Sequence, residues 1–143
     1  MDEKLLAAAA SGDEAGLCLL IAAGAGVEAR NKDGLTAAMM AAIRGHEASL
    51  ELLIKAGANI EDKKNDGWTA LMLAAANSRE ACLLSLIGAG ADLEATDNTG
   101  RTAATLAASN GYPGLTSLIA SIALSRGEAW QLGRETAAGF ERK

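Results

Sequence analysis

Residues that could perform metal or nucleophilic chemistry are few and scattered in this sequence. His46 is the only histidine, and the two cysteines are Cys18 and Cys82. A zinc site needs about four suitable ligands, and a Ser–His or Cys–His pair needs a histidine that an acidic group holds in place. Because there is no second histidine, we expect His46 to be structural. We also expect both cysteines to be free thiols, Cys82 buried in a helix and Cys18 exposed.

Phosphate-binding and acid–base motifs are also missing from the sequence. Residues 24–27 (GAGV) and 88–92 (GAGAD) contain closely spaced glycines, but they follow helical segments and are expected to cap those helices. The neighbouring carboxylates Glu61 and Asp62 are expected to be solvated, because no concave pocket is implied around them. We therefore predict no enzymatic activity, no metal ion and no cofactor.

The composition indicates a small, acidic, folded chain. Its 143 residues suffice for one domain, but only 3% of them are aromatic, so aliphatic and alanine side chains must fill thin layers. A formal net charge of −5 predicts repulsion of nucleic acid and of anionic membranes. The acidic start and the interrupted apolar stretches predict neither a secretion signal nor a transmembrane helix. We therefore expect a cytoplasmic protein.

A repeat of 33 residues organises most of the chain. The residues that keep this step are Gly34, Gly67, Gly100, Thr36, Thr69, Thr102 and the alanine pairs at 41–42, 74–75 and 107–108. Such short units cannot bury their apolar faces alone, so neighbouring units must stack. The predicted units are 1–30, which lacks the opening turn, 31–63, 64–96 and 97–124, followed by a tail at 125–143.

Each complete unit predicts a turn followed by two short helices. In the second unit, Asn31–Gly34 has turn chemistry, and Thr36 is suited to cap the helix that follows. The spacing of apolar residues predicts helices over Ala37–Arg44 and Glu47–Lys55. The glycine after each helix is expected to end it in a left-handed conformation. Residues 58–62 are then expected to run extended, as part of a protruding hairpin.

With this period the chain resembles the ankyrin-repeat family, whose signature opens Gly-x-Thr-Pro-Leu-His-x-Ala. The resemblance covers residues 2 to about 124. It implies an all-α solenoid of four helix–turn–helix units with short β-hairpin loops. Several signature positions are replaced: alanine stands for proline at 37, 70 and 103 and for leucine at 38 and 104, while Met39, Met72 and Thr105 stand for histidine. We expect Met39, Met40 and Met72 to fill the core.

The resemblance also implies a concave surface of hairpin tips and first helices that binds a protein partner. Trp68 shares its register position with Leu35 and Arg101, and such different residues are not expected at a common core site. Trp68 should therefore be partly exposed as an interface anchor, or else lie across the neighbouring hairpin as filler. The predicted partner-binding residues are Arg30, Lys32, Asp33, Leu35, Ile43, Arg44, Lys63, Asn65, Asp66, Trp68, Asn77, Thr96, Asn98, Thr99, Arg101 and Asn110.

The tail after residue 124 leaves the repeat register but contains Trp130, Leu132 and Phe140. Such side chains are costly to expose to water. The tail is expected to cap the last repeat, to dock on a partner or a second copy, or to be disordered. The alternative function is accordingly a regulatory or assembly subunit that acts through this tail. We expect a monomer, unless the tail mediates self-association.

Overall fold

A computed structural model describes residues 2–126, which form eight α-helices in four successive helix–turn–helix pairs. The first helices of the pairs are α1 (Asp2–Ser11), α3 (Ala37–Arg44), α5 (Ala70–Ala76) and α7 (Ala103–Ser109). The second helices are α2 (Glu14–Ala22), α4 (Glu47–Lys55), α6 (Glu80–Gly88) and α8 (Pro113–Ser125). The predicted all-α repeat fold is confirmed, as are the bounds predicted for α3 and α4.

The repeated threonines begin the first helices, as predicted. The side-chain oxygens of Thr36, Thr69 and Thr102 each accept the backbone N–H three residues further on, at distances of 3.3 to 3.4 Å. Each bond satisfies one amide of the first turn that has no partner within its helix. Gly45 ends α3 with a φ of 77°, a left-handed conformation that glycine adopts without steric cost.

The helices stack in two layers along the repeat axis. The first helices pack on one another in the order α1, α3, α5, α7, while α2 packs on α4 and α4 on α6. Fully buried alanines line the first layer, notably Ala41, Ala42, Ala74 and Ala75, and these small side chains let the helices approach closely. Met39 and Met72 are also buried, as predicted, whereas Met40 is half-buried at the edge of the core.

Turns, not strands, build the hairpin tips. Within residues 2–126 the one β contact is an isolated antiparallel bridge between Arg30 and Thr36. In each hairpin an amide donates to the carbonyl four residues further on at 2.9 to 3.0 Å, and the pairs are Asn31 with Leu35, Lys64 with Trp68, and Asp97 with Arg101. The three tips therefore share one backbone geometry.

The predicted extended segment at residues 58–62 is wrong. The amide of Asp62 donates to the carbonyl of Asn59 at 3.3 Å, and the Asn59 side-chain oxygen accepts the N–H of Glu61 at 3.0 Å. An asparagine that binds the amide two residues further on folds the chain into a local turn. This turn precedes the hairpin tip and carries the chain from one helix pair to the next.

The cysteines lie as predicted, with Cys18 exposed and Cys82 buried in α6. Burial, reinforced by the nearby Glu47 carboxylate, raises the pKa of the Cys82 thiol to about 11. No helix in the described part of the chain has the length and apolar character needed to cross a membrane. The predictions for Trp130, Leu132 and Phe140 fall outside the described residues.

Candidate functional site

The hairpin surface consists of the three hairpin tips, at residues 30–35, 63–68 and 96–101, and the exposed ends of α3, α5 and α7. None of the sixteen predicted partner-binding residues is buried. Those that are half-buried are Leu35, Ile43, Trp68 and Arg101, and the others are exposed. All sixteen positions are therefore accessible, and partner binding at these positions stays a prediction.

Trp68 lies at the centre of this surface with two cations over its ring. The indole is half-buried against the core. The Nζ of Lys64 lies 5.8 Å from the ring centroid, and the Cζ of Arg101, from the next hairpin, lies 5.6 Å from it. Cations at such distances are attracted by the negative face of the ring. Trp68 thus contacts the neighbouring hairpin and still retains exposed area, so it combines the two arrangements considered from the sequence.

Asp97 holds Arg101 in place beside the indole. The Arg101 Nε donates to Asp97 Oδ2 at 3.0 Å, and Asp97 Oδ1 accepts the backbone amides of Thr99 and Arg101, both at 2.9 Å. The Thr99 hydroxyl donates to the same oxygen at 2.8 Å. Desolvation opposes ionisation of Asp97, but these hydrogen bonds outweigh it and hold its pKa below the ordinary range.

The hairpin that carries Trp68 departs from the other two. In the preceding hairpin Asn31 occupies the position of Asp97, and its side-chain oxygen likewise accepts two amides, at 2.9 and 3.0 Å. The third member of the series is Lys64, whose side chain cannot accept a hydrogen bond. Asp66 takes over this role by accepting the Trp68 amide at 3.2 Å, and it also binds the Lys64 ammonium at 2.7 Å. Lys64 is therefore less suited to the turn than asparagine or aspartate, but at this position it contacts the indole of Trp68.

Several predicted contact residues tie the hairpins together. Arg30 Nη1 donates to the carbonyl of Lys63 at 2.7 Å and lies 3.4 Å from the Asp62 carboxylate through Nη2. One repeat further on, Lys63 Nζ donates to the carbonyl of Thr96 at 3.0 Å. These polar groups hold the stack, so fewer of their donors are available to a partner than the sequence indicates.

The second and third tips, at residues 63–68 and 96–101, also contact each other through their backbones. The Asn98 amide donates to the carbonyl of Asp66 at 3.1 Å, and its side-chain amide donates to the carbonyl of Asn65 at 3.3 Å. Gly67 permits this approach, because a Cβ at that position would lie 2.8 Å from the backbone nitrogen of Asn98. The hairpin carrying Trp68 is therefore fixed to the one carrying Arg101.

Five further predicted residues, at the first tip and at helix ends, fall into two groups. The side-chain amides of Asn77 and Asn110 turn back and donate to carbonyls of their own helices at 2.8 Å. The side chains of Lys32, Asp33 and Arg44, in contrast, are exposed and make no hydrogen bond or ion pair within residues 2–126. These three have polar groups available to an external partner.

The sequence interpretation missed a series of carboxylates that join successive units. Glu28 accepts the amide of Asn59 at 2.8 Å, and Glu61 accepts the amide of Asp92 at 2.9 Å. Glu61 was predicted to be solvated, as was Asp62, which instead pairs with Arg30 at 3.4 Å. The 33-residue spacing of Glu28 and Glu61 was the available signal, but the amide partners become apparent only in the stack.

His46 belongs to a second series of ties, in agreement with the structural role predicted for it. Its Nε2 lies 3.0 Å from the carbonyl oxygen of Ala10 in the preceding unit. Arg79, 33 residues further on, donates through Nε to the carbonyl of Ile43 at 2.9 Å. Within residues 2–126, no three histidine, cysteine or acidic side chains are grouped as a metal site requires.

The opposite side of the stack carries a shallow groove between α4 and α6. Its lining includes Glu47, Glu51, Ile54 and Leu84. The Ser85 hydroxyl contacts both carboxylates, at 3.4 and 3.2 Å. The lining includes no histidine, so Ser85 lacks the imidazole base of a Ser–His pair.

Comparison with known proteins agrees with the repeat pattern. A comparison with curated proteins found no match. The family model described as ankyrin repeats (3 copies) matches residues 5–97, which is more than half of the chain. Together with the stacked helix pairs and the capped turns, this match shows that the chain belongs to the ankyrin-repeat family.

Proposed function

We propose that this protein is a protein-interaction module that binds its partner through the hairpin surface. Ankyrin repeats generally serve as protein–protein interaction modules. The observation that carries the proposal is the half-buried Trp68 between Lys64 and Arg101. Tryptophan and arginine are enriched among residues that dominate binding energy, because they desolvate a large area in a defined geometry.

The rigidity of the hairpins supports the same proposal. Asn98 fastens the tip that carries Arg101 to the tip that carries Trp68, and Asp97 fixes the Arg101 side chain. A surface that is already ordered loses little conformational entropy when a partner binds. The polar groups used within the stack therefore contribute to recognition indirectly, by holding the anchor in position.

The test is affinity capture with the full chain, compared with Trp68→Ala. Loss of a central anchor should weaken binding by about 2 kcal/mol, or roughly thirtyfold. Leu84→Ala is the matched control, because Leu84 is also a large apolar side chain, 42% exposed, but lies on α6 beside the opposite groove. Urea unfolding of each variant establishes whether it is folded under the capture conditions.

The outcomes separate the hairpin surface from other contact regions. Partner loss with Trp68→Ala and retention with Leu84→Ala supports the proposal. Equal retention by both variants contradicts it. If capture instead requires the segment beyond Ser125, tested with a chain ending there, the tail makes the functional contact. Sedimentation of the full and shortened chains then shows whether that contact is with a second copy.

A further inference from the structure

We propose that the hairpin surface recognises an extended acidic segment of its partner, with carboxylates at intervals of about three residues. This inference rests on the proposed function and specifies its partner class. It requires that this chain, although acidic as a whole, presents a cationic binding surface. The supporting observations are the distribution of charge along the chain, the internal pairing of acids at the hairpins, and the spacing of the tips.

Charge is segregated between the hairpins and the rest of the chain. The three tips, at residues 30–35, 63–68 and 96–101, and Arg44 at the end of α3 together contain six cations and three carboxylates. The remainder of the described chain, within residues 2–126, contains four cations and twelve carboxylates. The formal charge of −5 is thus the sum of a cationic hairpin region and a strongly anionic remainder. Oppositely charged partner groups are attracted to the former and repelled by the latter.

The carboxylates near the hairpins are mostly engaged within the chain. Asp62 pairs with Arg30, Asp66 binds Lys64, and Asp97 accepts its loop amides and Arg101. Only 1% of the Asp97 side chain is exposed, against 43% of the Arg101 side chain. At this pair the cation therefore remains accessible and the carboxylate does not, whereas at the Lys64–Asp66 pair the acid is the more exposed, 49% against 23%.

Two cations extend from this surface without an internal partner. Lys32, at the first tip, and Arg44, at the end of α3, are exposed and make no ion pair within the described residues. Both lie in the segment 30–44, which has a formal excess of two positive charges. They would bind partner carboxylates without first giving up an internal bond.

The repeat geometry sets the spacing of the carboxylates. Packed helices lie about 10 Å apart, so equivalent positions in successive repeats are separated by about that distance. An extended peptide in the polyproline II conformation rises about 3.1 Å per residue with three residues per turn, so every third side chain lies on one face and meets the next repeat. Each successive tip supplies a cation, Lys32, Lys64 and Arg101 in turn, although these three residues do not share one register position. The indole of Trp68 offers an apolar contact between the second and third of these cations.

A discrete acidic peptide fits these charges better than a nucleic acid does. Nucleic-acid backbones carry closely spaced, uninterrupted negative charge. The exposed Asp33 beside Lys32 and the carboxylate of Asp66 beside Lys64 would repel such a backbone. A peptide can place a carboxylate at the cation and an uncharged residue at the acid.

The test selects peptides of about twelve residues from a random displayed library against the immobilised full chain, a length sufficient to span three tips. Binding of the selected peptides is measured by fluorescence polarisation. We expect enrichment of aspartate and glutamate at intervals of three. Affinity should fall about tenfold when salt is raised from about 0.1 M to about 1 M, where exposed charges are screened. Glutamate-to-glutamine changes in the peptide should also weaken binding.

A matched pair of charge reversals locates the contact. Arg44 and Lys55 are exposed and are the last residues of α3 and α4, so Arg44→Glu and Lys55→Glu disturb their helix ends similarly. Arg44→Glu should weaken peptide binding by about fivefold or more, the upper range for an exposed ion pair, whereas Lys55→Glu should change it less than about twofold. Far-UV circular dichroism verifies that both variants are folded.

The outcomes distinguish the two proposals. Two results overturn the acidic-segment proposal and leave the hairpin surface as the binding site. In the first, the selected peptides depend on Trp68 without an excess of acidic residues. In the second, their affinity changes equally with Arg44→Glu and Lys55→Glu. Binders that do not respond to Trp68→Ala contradict the hairpin surface itself. Failure to select any peptide contradicts recognition of an extended segment, while a folded partner captured through Trp68 still supports the proposed function.

Discussion

Three alanine substitutions measure how closely the hairpins pack. Gly34, Gly67 and Gly100 occupy the same turn position with φ of 83°, 89° and 83°. A Cβ at Gly100 meets nothing within 4 Å, whereas a Cβ at Gly67 would lie 2.8 Å from the backbone nitrogen of Asn98. At Gly34 the nearest atom is the side-chain oxygen of Asn65, also at 2.8 Å, with the backbone 3.4 Å away. Backbone strain is therefore common to the three substitutions, whereas the contact of the new Cβ with the next hairpin differs among them.

The expected losses follow from these neighbours. Gly100→Ala adds left-handed strain of about 1–2 kcal/mol, partly offset by about 0.4–1 kcal/mol because the unfolded chain loses freedom. We expect a net loss of about 1 kcal/mol. Gly67→Ala must also displace Asn98, whose two hydrogen bonds to the preceding tip contribute about 1 kcal/mol each. Its loss should reach about 3 kcal/mol. Gly34→Ala should be intermediate, because a side-chain amide can rotate away.

Urea unfolding of the full chain, followed by far-UV circular dichroism, measures these differences. The free energy of unfolding should decrease in the order Gly100→Ala, Gly34→Ala, Gly67→Ala, each compared with the unsubstituted chain. Gly100→Ala serves as the control for backbone strain. Equal losses at Gly67 and Gly100 would refute the inference that the tips are in close backbone contact.

Three further predictions concern the cap, the buried carboxylate and the thiols. Thr69→Ala removes the acceptor of the Met72 amide and should lower the free energy of unfolding by about 1 kcal/mol in urea titration, whereas no change means the cap is not formed. Asp97 has a folded pKa below its unfolded value of about 3.9, so its stabilisation is present above about pH 4 and is lost as the pH falls. Asp97→Asn should therefore lower the urea midpoint of unfolding more at about pH 7 than at about pH 3. An equal decrease at the two pH values would contradict a stabilising role for the ionised carboxylate. Iodoacetamide should label Cys18 but not Cys82 in the folded chain, as read by mass spectrometry, because burial raises the Cys82 pKa to about 11.

Local signals were sufficient to predict the helices. Thr36 and Gly45 mark the start and the end of α3 through bonds and φ values that depend on nearby residues only. Asn59 shows where local inference was incomplete, because its side chain forms a turn in a segment that was predicted to be extended. The same asparagine chemistry had been recognised at Asn31, so this turn was within reach of the sequence.

The hairpin surface was predictable as a set of accessible positions, but the contacts that each side chain makes were not. Arg30 and Lys63 have the same register, and only the stacked units show that each reaches a carbonyl of the next hairpin. Asn77 likewise appeared free until its amide was seen to bind its own helix. These bonds depend on distances between units, which a repeat period does not contain.

The bonds between units recur at the same 33-residue step as the units themselves. Glu28 binds an amide one unit ahead, and Arg30 binds a carbonyl one unit ahead. Excision of residues 31–63 would bring Glu28 opposite the amide of Asp92 and Arg30 opposite the carbonyl of Thr96, the partners now used by Glu61 and Lys63 of the excised unit. These two bonds can therefore be remade after the unit at residues 31–63 is lost. Such interchangeable junctions allow a gene to lengthen or shorten its solenoid in single-unit steps without designing a new interface.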